Sequence, residues 1–358
     1  MKIKKLDEWN LGKLSEPLII AGPCSAESEE QMLKTAKELS ENGIRIFRAG
    51  IWKPRTRPGS FEGVGVKGLA WMKKVKQETK MLVATEVANV NHVFEALKAG
   101  VDILWVGART SVNPFAIQEI ADALKGVDIP VLVKNPVNPD LDLWIGAIER
   151  LNRAGITRIA ALHRGFSGIE KSPLRNEPYW QMIVELKQRI PNLPIINDPS
   201  RICGNSDLLL PISQKAIDLQ VNGLMVESHC NPDKALSDKA QQVTPKQLNK
   251  ILEDLKVRSK TADTKYFNNK MSEYRSKIDI MDDIIVEMLG KRMQIADKIG
   301  LLKKENNVAI LQSNRWVEII EKIESKSAIN GLKNDFINTI FKTIHDESIN
   351  RQEKILSK

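Results

Sequence analysis

Over residues 1–258 the apolar positions fall into short runs, each closed by glycine, proline or a polar or charged residue. The runs are Leu18–Ala21, Ile44–Phe47, Met81–Thr85, Ile103–Val106, Val131–Val133, Arg158–Leu162, Pro194–Ile196 and Gly223–Val226. Between them lie longer amphipathic stretches, among them Glu29–Glu41, Lys67–Glu78, Asn91–Ala99, Pro114–Leu124 and Leu143–Ala154. Runs rich in Val, Ile and Leu suit strands covered on both faces, and the intervening stretches suit the helices that cover them. Eight such beats in about 240 residues predict an α/β fold, a (β/α)8 or TIM barrel. A doubly wound open sheet fits less well, because it has fewer beats and opens on a G-x-G-x-x-G turn that is absent here.

The pattern then changes. Residues 259–270 are polar, lack periodicity and read as a linker. Beyond Met271, Tyr274, Ile278, Met281, Ile285, Met288, Arg292, Ile295, Ile299 and Leu302 alternate spacings of four and three with no proline between them. This predicts one helix of about 35 residues, long enough that it should pack along a partner. Asn314–Ile323 and Lys333–Leu356 predict two more helices, with Gly331 between them, so residues 271–358 form an all-α bundle. A cation in an apolar stripe, such as Arg292, ordinarily snorkels to solvent. Lys303 lies eleven residues further on and returns to nearly the same face, whereas Arg275 sits about 100° away around the helix. Arg275 is therefore placed to line the matching pocket of a second subunit.

Composition narrows the classes. A hydrophobic share of 42% supports a core, and 54 basic against 45 acidic residues give a net charge of +9. The basic residues are interspersed with the acidic ones, which favours anionic metabolites over a polynucleotide track. Three cysteines without regular spacing fit a reducing, cytoplasmic setting. No signal peptide is recognisable and no apolar run approaches the ~20 residues of a membrane span.

In a barrel of this kind the chemistry sits where strands end and βα loops begin. The polar residues at those positions are Cys24, Arg48, Lys53, Glu86, Arg109, Lys134, His163, Arg164, Asp198, Glu227, His229 and Asp238. The loop after the second run adds Arg55 and Arg57, stiffened by Pro54 and Pro58. So many cations at one mouth call for bound anions, phosphate and carboxylate above all. A thiol and two carboxylates at strand ends, Cys24 with Glu227 and Asp238, resemble a divalent-metal site.

The segments AGPCS, RAGIWKPRT, GAR, VKNP, DPS and VESHCNPDKALSD, in this order, resemble 3-deoxy-D-arabino-heptulosonate-7-phosphate synthases of the compact type shared with 3-deoxy-D-manno-octulosonate-8-phosphate synthases. The resemblance spans residues 15–250. It implies condensation of phosphoenolpyruvate with erythrose 4-phosphate on a metal-dependent barrel, with arabinose 5-phosphate as the alternative acceptor. Carried over by position, Arg48, Lys53, Arg109, Lys134 and Arg164 would hold phosphoenolpyruvate, with Lys53 catalytic. Arg55 and Thr56 would hold the sugar phosphate. Cys24, Glu227 and Asp238 would ligate Mn, Zn, Co or Fe, with no organic cofactor. One position departs: the family has histidine, a fourth ligand, directly after Asp-Pro-Ser, where this chain has Arg201. Arginine stays protonated and cannot ligate a metal. His229, two residues beyond Glu227, would replace it if the strand continued regularly.

Residues 268–356 resemble the all-helical chorismate mutases, in which two intertwined chains of three helices share two active sites. The resemblance implies a homodimer, with Arg275, Arg292 and Arg315 on the carboxylates of chorismate, Lys303 and Gln352 on its ether oxygen, and Ser348 beside them. Gln312 and Trp316 stand where acidic residues are common. The alternative reading is a helical module for dimerisation or feedback sensing alone. With the two domains tethered in one chain, prephenate or chorismate on the helical domain is expected to lower condensation.

Overall fold

The computed structural model describes residues 1–55, 59–168, 172–259, 262, 264–310 and 313–357, and the side chains of 313–315 are not described. The chain divides into two compact units, Met1–Lys260 and Thr261–Lys358. In the first, eight parallel strands close in sequence order into a barrel. They are β1 (Leu18–Gly22), β2 (Ile46–Arg48), β3 (Leu82–Val87), β4 (Ile103–Val106), β5 (Val131–Lys134), β6 (Ile159–His163), β7 (Ile195–Asn197) and β8 (Gly223–Glu227). Closure is made by β1 against β8, in register from Leu18 opposite Gly223 to Gly22 opposite Glu227.

Each strand is apolar on both faces because each face meets a different core. Leu18, Ile20, Ile46, Trp105, Leu132 and Met225 belong to the inner cluster. Ile19, Ala21, Phe47, Leu104, Val133 and Leu224 pack outward against the helices. Neighbouring residues thus alternate between the two cores, as strand pleating requires. Each fully buried Ile or Leu contributes about 1.5–3 kcal/mol. A 3-10 turn at Leu6–Trp9, unforeseen from the pattern, adds Trp9 to the inner cluster, where it is wholly buried.

The helices in the first unit are α1 (Glu29–Glu41), α2 (Lys67–Thr79), α3 (Val90–Lys98), α4 (Pro114–Ala123), α5 (Leu141–Arg153), α6 (Trp180–Arg189), α7 (Pro199–Cys203), α8 (Leu209–Asp218) and α9 (Pro245–Asp254). Side chains cap several of them and satisfy the first free N–H groups: Ser28 on α1, Asn89 on α3, Asn113 on α4, Asp140 on α5 and Asp198 on α7.

The second unit comprises α10 (Lys265–Glu305), α11 (Ser313–Ile329) and α12 (Asn334–Leu356). Residues 265–270, which read as linker in the sequence, are the first turns of α10. Gly300 lets α12 come close: a Cβ there would lie 3.1 Å from Gln352 Cγ. The stripe on α10 behaves differently from a core face. Tyr274, Ile278, Met281, Ile285 and Met288 are between 47% and 60% exposed. Among the described residues, no helix is long and apolar enough to cross a membrane.

Candidate active sites

The barrel mouth is built from strand ends. Arg48, Lys134 and Glu227 are the last residues of β2, β5 and β8, and Asp198 directly follows β7. All four are buried. Glu227 Oε1 accepts from Arg48 Nη1 at 3.2 Å, and Lys134 Nζ lies 3.2 Å from Asp198 Oδ2. The two cations also face the indole of Trp105, with Arg48 Cζ at 4.9 Å and Lys134 Nζ at 5.8 Å from the ring centre. That ring stabilises charge where water is scarce. Trp105 in turn donates to Glu86 Oε2 at 2.7 Å.

Lys53 folds back from its loop. Its Nζ donates to Cys24 O at 2.6 Å and lies 2.9 Å from Cys24 Sγ. Gly50 makes room, since a Cβ there would come within 2.9 Å of Cys24 O. Cys24 Sγ, Glu227 and Asp238 have donor atoms within 4.8 Å of one another, a spacing that could hold a metal ion. Arg201 enters this cluster. Its Nη1 lies 2.6 Å from Asp238 Oδ2, and its Nη2 lies 2.9 Å from Glu227 Oε1 and 3.1 Å from Cys24 Sγ. Arg175 Nη1 takes Asp238 Oδ1 at 2.9 Å, and Gln241 Nε2 takes Glu227 Oε2 at 2.7 Å. With Arg201 so placed, the three side chains that could hold a metal are already engaged by protein donors.

The charges reinforce one another. Burial would raise the Glu227 carboxyl, but Arg201, Arg48 and Lys53 outweigh it and hold its pKa at about 2. Burial acts the same way on Asp238, where Arg201 and Arg175 prevail and keep it well below the ordinary carboxylate range. Arg201 is penalised by burial, yet Glu227, Cys24 and Asp238 more than offset this and hold its pKa well above the ordinary value. Burial lowers Lys134 despite Asp198, and burial together with nearby Arg201 brings Arg164 down to about 10. Cations held in so little water favour an incoming anion.

Of the residues singled out from sequence, the structure brings together Cys24, Arg48, Lys53, Glu227 and Asp238, with Lys134 beside Asp198. Arg164 is partly buried, and Arg109 is exposed and donates to Pro54 O at 3.2 Å. Arg55 is half-buried on the same loop, while Thr56 lies outside the described residues. Two histidines leave the mouth. His163 hydrogen-bonds Pro178 O through Nε2 at 2.7 Å and Asn197 through Nδ1 at 2.9 Å. His229, the expected substitute ligand, instead turns its Nε2 to Glu27, 3.6 Å away. Sequence reasoning missed Arg175, Gln241 and Asn135, whose Oδ1 accepts from Arg164 N at 2.7 Å. Only the asparagine carried a signal, through its place in VKNP.

In the helical unit Arg292 Nη1 donates to Ser348 Oγ at 2.6 Å. Gln352, one turn further along α12, is buried, and its Oε1 has no partner among the described residues. Lys303 donates to Ile310 O. His345, which no sequence signal marked, stacks on Trp316 at 4.2 Å. Burial lowers its pKa, and Arg292 and Lys303 push the same way against Asp346. Arg275 is exposed on α10. The Arg315 side chain and Gln312 lie outside what is described.

Comparisons with known proteins divide the chain at the same place. Residues 2–263 match the DAHP synthetase I family, and residues 274–353 match chorismate mutase type II. A phospho-2-dehydro-3-deoxyheptonate aldolase of Thermotoga maritima is 33% identical over 238 residues, covering 66% of this chain and 68% of its own. A 2-dehydro-3-deoxyphosphooctonate aldolase of Desulfotalea psychrophila is 27% identical over 266 residues, covering 68% of this chain and 90% of its own. A crystal structure of DAHP synthase from Thermotoga maritima superposes with a TM-score of 0.60 at 33% identity, covering 66% of this chain and 67% of that one.

Proposed function

The chain belongs to the DAHP synthetase I family, and from that premise we propose how its residues divide two reactions between them. It carries a DAHP synthase domain followed by a chorismate mutase domain and is an enzyme with both activities. In the barrel, Arg48, Lys53, Lys134, Arg109 and Arg164 bind the phosphate and carboxylate of phosphoenolpyruvate, and Arg55 and Thr56 bind the phosphate of erythrose 4-phosphate. The observation that carries this reading is the set of buried cations on one mouth, Arg48 and Lys134 at strand ends and Lys53 on the loop after β2. Held there, C3 of the enol attacks the sugar aldehyde. Water then adds at C2 and phosphate leaves, with the surrounding cations stabilising the charge that develops.

In the helical unit Arg292 and Arg315 bind the carboxylates of chorismate, and the partner subunit's Arg275 completes the site. Lys303 and Gln352 donate to the ether oxygen as its bond to carbon breaks, and Ser348 orients Arg292. The rearrangement to prephenate needs no acid or base, only the right conformer and a fixed field. The exposed stripe on α10 supports a homodimer, since a second copy would cover it. Prephenate bound to this unit lowers condensation in the barrel, the two being tethered in one chain.

The test is to give the purified protein phosphoenolpyruvate with erythrose 4-phosphate or arabinose 5-phosphate, and chorismate separately. A seven-carbon product and prephenate are expected. An eight-carbon product would move the barrel to the octulosonate reaction, and no chorismate turnover would reduce the helical unit to a dimerisation module.

A further inference from the structure

Arg201 occupies the position in the barrel that is hardest to explain as packing. It is a cation whose guanidinium touches all three side chains that would otherwise ligate a metal, at 2.6, 2.9 and 3.1 Å. Its backbone is fixed on both sides. Asp198 Oδ1 accepts from its N–H at 3.2 Å, and Asn176 Nδ2 donates to its carbonyl at 2.6 Å. Three donor atoms within 4.8 Å of one another surround room for one cationic group, and the guanidinium has it.

The charge count points the same way. Glu227 and Asp238 already face Arg48, Arg175 and Arg201, with Lys53 against Cys24. A divalent ion would add two positive charges to carboxylates that are neutralised without it. It would also need a ligand in place of a side chain that never gives up its proton.

We propose that the Arg201 guanidinium is the resident cation of the barrel site, standing where a divalent ion would, so that condensation runs without added metal. This rests on the condensation assigned above. Arg201 still has donors to offer. Its Nε–H is buried without a partner among the described residues. As the enol π pair forms the bond from C3 to the aldehyde carbon, the carbonyl pair moves onto oxygen. Arg201 stabilises that oxyanion by donating to it. The oxyanion takes a proton from the incoming water, whose hydroxide adds to C2. The hemiketal phosphate so formed breaks its C2–O bond, and its C2 hydroxyl gives its proton to the departing phosphate as the ketone forms. No oxidant or reductant is consumed.

The test uses the full chain and reads metal directly as well as activity. Wild type and Arg201→His are stripped with chelator, titrated with Mn²⁺ by calorimetry, and assayed for condensation with and without excess EDTA. Wild type is expected to take up no Mn²⁺ and to keep its rate within about twofold in EDTA. Arg201→His, which restores an imidazole ligand, should take up about one equivalent of Mn²⁺, and its activity should become EDTA-sensitive. Should Arg201→His fail to fold, the wild-type titration decides on its own. Uptake of one equivalent of Mn²⁺ by wild type, with activity lost in EDTA and restored by the ion, overturns the proposal. Absence of condensation under every condition would instead defeat the catalytic reading. The Mn²⁺ titrations would then still uphold or overturn Arg201 as the resident cation.

Discussion

Arg292 on α10 donates to Ser348 on α12 across 2.6 Å. A long, flexible cation is thereby held in one orientation by a buried hydroxyl. The contact tests whether positioning matters in the helical site. Hydrogen bonds to charged groups are worth about 1.5–3 kcal/mol, so Ser348→Ala should lose at least about tenfold in kcat/KM for chorismate. Condensation should be unchanged, and steady-state assays of both reactions on the same preparation check this.

The two chemistries should separate by mutation. Lys53→Ala removes the ammonium that reaches Cys24 in the barrel and should lower condensation by at least about 100-fold, as removing one preorganised donor does elsewhere. Chorismate turnover should persist. Arg292→Ala should do the reverse. Circular dichroism confirms that each variant is folded, and a folded variant that lost both activities would contradict two independent sites.

Stability should decline on the acid side because of His163. Burial holds its folded pKa down at about 3, against an ordinary value of 6.5. Below 6.5 the unfolded chain takes up a proton that the folded chain refuses, so the contribution falls as pH drops between those values. The slope is about 1.4 kcal/mol per pH unit for this one group. Urea midpoints measured from pH 7 down to pH 4.5 should show it, and His163→Gln should flatten it while lowering stability at pH 7.

The apolar stripe on α10 offers a test of assembly. Ile278 and Ile285 are 58% and 56% exposed in the single chain. A glutamate at Ile285 would place a charge in the contact between two copies and should shift the mass seen by light scattering from dimer to monomer. Mutase activity should fall with it, since the partner's Arg275 is withdrawn, while condensation continues. A protein that is monomeric before mutation would exclude the shared site.

Much of this was legible without coordinates, and for a local reason. Strand and helix periods differ, so eight short apolar runs with amphipathic stretches between them specify an alternating parallel fold. That topology places strand ends on one rim, which is why Arg48, Lys134 and Glu227 could be gathered from positions far apart in the chain. The helical stripe likewise follows from repeat spacing, whereas the grouping of Arg292 with Ser348 and Gln352 came from the resemblance to chorismate mutases, since spacing alone would send Arg292 to solvent.

The remainder depended on where loops travel. His229 was expected on the face of Glu227, but β8 ends at Glu227, so strand alternation no longer sets where the histidine points, and its side chain goes to Glu27. Arg175 meets Asp238 from a loop, and Gln241 meets Glu227 from the short 3-10 turn Lys239–Gln241, stretches too irregular or too short to have a period to read. The substitution at Arg201 could be seen as a lost ligand, yet not as a gained cation. Its reach to Cys24, 177 positions away, is decided by how α7 follows β7. Periodicity fixes which residues share an element's face. Contacts between loop residues depend on closure of the whole barrel, and only the tertiary structure supplies that.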